Sequence, residues 1–150
     1  MFSFRHRNTT ILPPGFILEA NKLPSPEELN KLLLKCKEKT HPPKRLALAL
    51  EKSFCCLSIL NKEDRKLYGF VRATSDNGLN ANLWNLVAEP GRNQKDFLSI
   101  LINRILLILK RDLPGCSISV SSPEVALKSL KEQGFLLDPN GIRAMAIKLK

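Results

Sequence analysis

Side chains able to act as nucleophiles, proton carriers or metal ligands are scarce in this chain. It holds four cysteines (Cys36, Cys55, Cys56 and Cys116), two histidines (His6 and His41) and one tyrosine, Tyr68. No Cys-x-x-Cys pair occurs and no metal-ligand spacing is present, so no metal is expected. The cysteines read as small apolar residues kept reduced inside a cell. Cys55 and Cys116 have no histidine beside them in sequence to form a thiolate, which argues against an acyl-accepting thiol. Tyr68 lies in an apolar stretch and reads as a sheet or core aromatic. Cations are plentiful instead. The formal net charge is +10, densest from Lys31 to Lys52, where Lys35, Lys39, Lys44 and Arg45 sit among few acids. Such a surface favours phosphates, nucleic acid or acidic protein. No aromatic residue lies between Lys31 and Lys52 to stack on a base, so a solvated basic face is the better reading and nucleic acid the weakest partner.

A chain of 150 residues, 43% apolar and 25% charged, can bury one core, and a single domain over residues 1–150 is expected, with 1–14 a flexible lead-in. Gly15 to Ala20 follows a Pro-Pro pair and reads as a strand. Ser25-Pro26-Glu27-Glu28 is a helix start, with the serine hydroxyl placed to accept from an N–H three residues on. Leu29, Leu32, Leu33 and Cys36 mark its apolar face, and Lys44 to Lys52 suits a second helix. Phe54 to Leu60, Leu67 to Ser75 and Asn80 to Ala88 read as an antiparallel meander, the last two joined by a turn at Asp76-Asn77-Gly78. Lys95 to Lys110 is apolar on so many sides that its helix must be largely buried. Cys116 to Ser121 suits a strand, Pro123 to Gln133 a helix stopped by Gly134, and Ala144 to Lys150 a final strand. The order is β-α-α-β-β-β-α-β-α-β, an α/β protein with a mixed sheet. The longest apolar run is too short to cross a bilayer and no sorting signal stands out, so no membrane association and a cytoplasmic setting are expected.

Four groups of residues carry a resemblance. Arg72-Ala73-Thr74-Ser75-Asp76 matches RATSD; Asn80-Ala81, Trp84 and Pro90 match N-A-x-x-W-D-x-x-V-x-P without a gap; Gly134-Phe135 matches a G-F after the last helix; and Asp138-Pro139, Gly141-Ile142 and Met145 match D-P-x-G-I-x-x-M. In these the chain, from about Phe54 to Met145, resembles the GNAT acyltransferases, specifically the branch found in plastids and cyanobacteria. The resemblance implies the GNAT fold and transfer of acetyl from acetyl-CoA to an amine. It also implies that the strand ending at Leu86, Val87 and Ala88 splays from the next strand to admit pantetheine, so Val87 and the strand from Cys116 should diverge. The following turn would bind pyrophosphate through helix N-terminal N–H groups, where glycines let backbone approach phosphate.

That turn reads Pro90-Gly91-Arg92-Asn93-Gln94-Lys95-Asp96-Phe97-Leu98. Against the family's Q/R-x-x-G-x-G/A, the Q/R falls on Asn93 and the two glycines on Asp96 and Leu98. Asp96 would compete with phosphate for helix N–H groups or serve as an N-cap, and Leu98 would obstruct backbone approach. Arg92, Gln94 and Lys95 would compensate in part by gripping phosphate with side chains. The balance predicts weakened acetyl-CoA binding. The family's tyrosine acid falls on Leu130, and the acid after the strand tryptophan falls on Asn85, an amide with no base function. Glu89, the acid at the end of the central strand, is then the candidate to deprotonate an amine through water, and Trp84 reads as core. The expected function is an acetyl-CoA-dependent N-acetyltransferase whose amine acceptor these residues do not name. The alternative is a catalytically silent GNAT-fold module that binds a protein or another anionic ligand.

Overall fold

The computed structural model describes residues 10–141 and 144–150. Residues 1–9 of the expected flexible lead-in, and Ile142 of the last motif, lie outside the described residues. In chain order the elements are β1 (Phe16–Ala20), α1 (Pro26–Lys35), α2 (Pro43–Glu51), β2 (Cys55–Asn61), β3 (Leu67–Ser75), β4 (Asn80–Ala88), α3 (Gln94–Asp112), β5 (Ser117–Val120) and α4 (Leu127–Glu132). The strands form one sheet in the order β1-β2-β3-β4-β5, antiparallel except for the parallel β4–β5 pair. The parallel step is where α3 crosses over, as a parallel connection requires.

Strand alternation sorts side chains to two layers. One face of the sheet sends Leu57, Ile59, Val71 and Leu83 onto α3 and α4, where Leu98, Leu101, Ile102, Ile105 and Leu130 complete a core. The other face sends Cys56, Phe70 and Val87 onto Leu29, Leu32 and Leu33 of α1 and Leu46 and Leu50 of α2. Gly69 lies close under α3: a Cβ there would be 3.1 Å from the Leu101 side chain, which would have to shift to admit it. Tyr68 packs edge-on against Phe16, with ring centres 5.0 Å apart, as expected of a sheet aromatic.

Local signals hold at most element ends. The Ser25 hydroxyl accepts from the Glu28 N–H at 3.1 Å. Gly134, at φ +99°, follows α4 and lets the Phe135 N–H return to the Leu130 carbonyl. The turn between β3 and β4 is held by Asp76, whose Oδ1 accepts from the N–H groups of Gly78, Leu79 and Asn80.

The expected last strand is not formed. Ala144 to Lys150 pairs with no strand, and Met145, Ile147 and Leu149 are 94%, 88% and 84% exposed. Alternation stabilises a strand only when one face is buried. Without that burial nothing offsets the entropy of ordering the segment.

Candidate functional site

β4 carries the site, and a bulge shapes it. Phe70 of β3 faces Val87 and Arg72 faces Trp84, so β4 spends one more residue than β3 over this stretch. Asn85 takes up the difference at φ +52°, a left-handed conformation that asparagine tolerates better than most residues. Beyond the bulge β4 parts from its other neighbour. β5 pairs with Asn80 to Leu83 and ends at Val120, leaving Trp84 to Ala88 without a strand partner on that side among the described residues. The β4–β5 pairing thus stops at Leu83, as a fork between Val87 and the strand from Cys116 would require.

The loop beyond β4 turns at Gly91, whose φ of +148° suits glycine, and leads into the 19-residue α3. Asn93 is the N-cap and its side chain makes no cap bond, so Asp96 is not the cap but an exposed residue in the first helical turn. The N–H groups of Arg92, Asn93, Lys95 and Asp96 meet no acceptor among the described residues. Uncapped N–H groups and the helix dipole make this end attractive to an anion. Arg92 and Lys95 are exposed beside it.

Several assignments change on seeing the geometry. Leu98 is fully buried, packed among core residues, so its side chain obstructs nothing at the loop; α3 has already turned it inward by its second turn. Phe97, Leu86, Val87 and Ala88 are also buried, and only their backbone can meet a ligand. Gln94 does not reach for phosphate. Its Nε2 donates to the Ala88 carbonyl at 3.0 Å, and the Cys36 thiol donates to the same oxygen at 3.1 Å. Burial pushes the Cys36 pKa up to about 11, so it stays a neutral donor. Glu89 is engaged: its Oε1 accepts from Lys35 Nζ at 2.7 Å, and that bond raises the lysine pKa. The remaining basic residues Lys39, Lys44 and Arg45 are exposed, like Lys35.

Trp84 is not core. It is 40% exposed on the α1/α2 face, donates from Nε1 to Thr74 Oγ1 at 2.7 Å, and lies under the Arg72 guanidinium, 5.9 Å from the ring centre. Arg72 in turn donates from Nε to Asn85 Oδ1 at 2.7 Å. These two side chains floor a cavity of about 270 Å3 whose walls include Lys39, His41, Arg45 and Lys148. Asn30 holds the His41 backbone at two points, accepting from its N–H at 3.0 Å and donating to its carbonyl at 2.8 Å. Burial, helped by Lys39 and Arg72, lowers the His41 pKa, which keeps the imidazole neutral at neutral pH. Sequence reasoning weighed His41 only as a metal ligand. Its nearness to Arg72 spans a separation in the chain that no local signal bridges.

No family model matches the chain. It is 32% identical over 130 residues to an uncharacterized N-acetyltransferase ycf52 of Pyropia yezoensis, over 85% of this chain and 74% of that protein. It is 31% identical over 85 residues to GCN5-related N-acetyltransferase 2, chloroplastic, of Arabidopsis thaliana, over 56% of this chain but only 32% of that longer protein. Among solved structures, a probable acetyltransferase of methicillin-resistant Staphylococcus aureus superposes at a TM-score of 0.79, with 16% identity, over 89% of this chain and all of that one. The Arabidopsis name places that relative in the chloroplast, which does not fit a plainly cytoplasmic expectation. Among the described residues no helix is long and apolar enough to cross a membrane. With the forked β4–β5 pair, the strand bulge and the α3 crossover on one side, and these relatives on the other, the chain belongs to the GNAT family of N-acetyltransferases.

Proposed function

We propose that this protein transfers acetyl from acetyl-CoA to an amine, with a weakened hold on the cofactor. The observation that carries this reading is the fork beyond Leu83, which opens β4 beside the uncapped start of α3. Pantetheine would lie along Leu86 to Ala88, and phosphates would meet the open N–H groups of Arg92, Asn93, Lys95 and Asp96 with the Arg92 and Lys95 side chains alongside. Acetyl-CoA supplies an activated thioester carbonyl. The chain's part is to aim that carbonyl at the cavity floored by Arg72 and Asn85, from which the amine arrives. Proton removal from the ammonium falls to His41, a neutral imidazole held in place by Asn30.

Two features weaken the cofactor site. The Asp96 carboxylate sits in the first turn of α3, where it attracts the same N–H groups as phosphate. Gln94 already occupies the Ala88 carbonyl, one of the polar groups an incoming pantetheine amide would need. Removing the Asp96 charge alters the helix-end interaction by about 0.3–1 kcal/mol, so Asp96→Asn should tighten acetyl-CoA binding about two- to fivefold. Isothermal titration of acetyl-CoA against wild type, Asp96→Asn and Gln94→Ala reads this directly. Wild type is expected to bind more weakly than about 0.1 mM, within the usual span of substrate affinities. Tight binding by wild type, with no gain in either variant, would refute the weakened site.

The second reading, a silent GNAT-fold binding module, is favoured by two side chains. Leu130 is buried where the family's tyrosine acid would stand, and Glu89 is tied to Lys35. Saturable acetyl-CoA binding without transfer to any amine would select it. The four thiols are free among the described residues, which suits a reducing compartment, either the cytoplasm or a plastid interior.

A further inference from the structure

The cavity beside the bulge has an unusual charge balance. Lys39, Arg45, Arg72 and Lys148 line it, and no carboxylate does among the described residues. Three of the four are exposed and lose little by standing alone in water. Arg72 is different. It is half-buried at the cavity floor, burial lowers its pKa, and it forms no ion pair among the described residues. Its Nε is used by Asn85 and its Nη1 reaches Ser53 Oγ only at 3.4 Å, while Nη2 makes no hydrogen bond among the described residues. Trp84 offsets part of the cost of the desolvated charge through its ring face, but a ring is no counter-ion. A guanidinium with an open edge, in a cavity ringed by further cations, is a fork that matches the paired oxygens of a carboxylate or phosphate.

Size and position narrow what brings that anion. At about 30 Å3 per water, a cavity of 270 Å3 holds roughly nine waters, room for a group the size of an amino acid or a phosphorylated amine. It opens on the α1/α2 side of the sheet, with Leu46 and Ala49 of α2 in its wall, whereas α3 and its phosphate-attracting end pack on the opposite face. It is therefore a different site from the one proposed for the cofactor phosphates. Asn85 belongs both to this floor and to the bulge that leads into Leu86, so a group held by Arg72 lies beside the open stretch of β4.

We infer that the cavity is an oxyanion site, and that the amine acceptor carries a carboxylate or phosphate which Arg72 and Arg45 hold while the amine faces the fork. The acceptor part of this inference rests on the acetyl-transfer reading above; the oxyanion site does not.

The test has two arms. In the first, inorganic phosphate and then acetate are titrated at low ionic strength, without CoA, while the NMR resonance of the Arg72 Nε–H is followed. Saturable shifts are expected, and Arg45→Gln should weaken them about tenfold, as loss of one charge-assisted contact implies. Lys128→Gln, exposed on α4 away from the cavity, should leave them unchanged. The stronger of the two ions identifies the phosphate or the carboxylate class. Arg45 is exposed, so its variant should fold, and thermal melts check this.

In the second arm, acetyl transfer is compared for 3-aminopropanoate, phosphoethanolamine and ethanolamine. At least one anionic amine should exceed ethanolamine about tenfold in kcat/KM. Absence of any saturable shift overturns the oxyanion site. Equal transfer to all three amines overturns the anionic acceptor while acetyl transfer itself stands. Saturable phosphate binding with no transfer to any amine upholds the oxyanion site and counts against acetyl transfer alone.

Discussion

Asn85 illustrates how one side chain serves two purposes. Its left-handed backbone makes the bulge, and its amide oxygen receives Arg72 at 2.7 Å. The two can be separated. Asn85→Gly keeps the backbone unstrained and removes only the acceptor, whereas Asn85→Val also forces a β-branched residue into a conformation costing about 1–2 kcal/mol. Urea denaturation should place the valine variant below the glycine variant by about that amount; equal stabilities would show that the bulge relaxes. His41 makes a sharper claim. Replacing it by alanine should lower kcat by roughly 10²–10⁴-fold, the usual worth of general base help, with acetyl-CoA affinity unchanged in a titration. A kcat within twofold of wild type would remove His41 from proton transfer.

Among the elements, α3 and the β3–β4 turn are the most exacting. Leu98 stands at a glycine position of the family loop but is fully buried in the core. Leu98→Ala should therefore cost about 2–5 kcal/mol, as large-to-small changes in a packed interior do, and should leave acetyl-CoA affinity untouched where the protein remains folded. Improved affinity would show that the side chain does reach the loop. At the turn, three N–H groups and the Asn80 amide hold the Asp76 carboxyl down to about 2. Because the folded carboxyl is the stronger acid, its contribution is complete above the ordinary carboxylate range near 3.8 and is lost as pH falls toward 2. Asp76→Ala should lower Tm at pH 6 and flatten the acid limb of the stability profile. An unchanged acid limb would mean that the turn holds without the carboxylate.

For the molecule as a whole, a net charge of +10 invites association with any polyanion. The cations Lys39, Lys44 and Arg45 are exposed, and Trp84 on the same sheet face is engaged by Arg72 over its ring and bonded to Thr74. Binding to duplex DNA should therefore be weak and vanish by about 0.15 M ionic strength, where exposed charges are screened beyond about 8 Å. Fluorescence anisotropy across a salt series measures this. Saturable binding that persists at that ionic strength would return nucleic acid to the list of partners.

Local residue order was enough to set out the first nine elements, and the reason is the short range of the signals. The Ser25 cap, the Asp76-Asn77-Gly78 turn, the apolar run of α3 and the stop at Gly134 each act within a few residues, so they read correctly without knowledge of the fold. The motif residues from Arg72 to Pro90 likewise pointed to the family and to a forked strand. Everything that depended on a distant partner escaped that reading. Lys35 meets Glu89 across 54 positions and pairs with its carboxylate. Cys36 reaches Ala88 across 52, and Arg72 reaches Asn85 across 13. The inward turn of Leu98 was decided by how α3 seats on the sheet, and the 40% exposure of Trp84 by how the helices pack on the other face. Ala144 to Lys150 carries the alternation of a strand yet forms none. A periodic pattern states which face would be buried, and only the packed structure supplies something to bury it against.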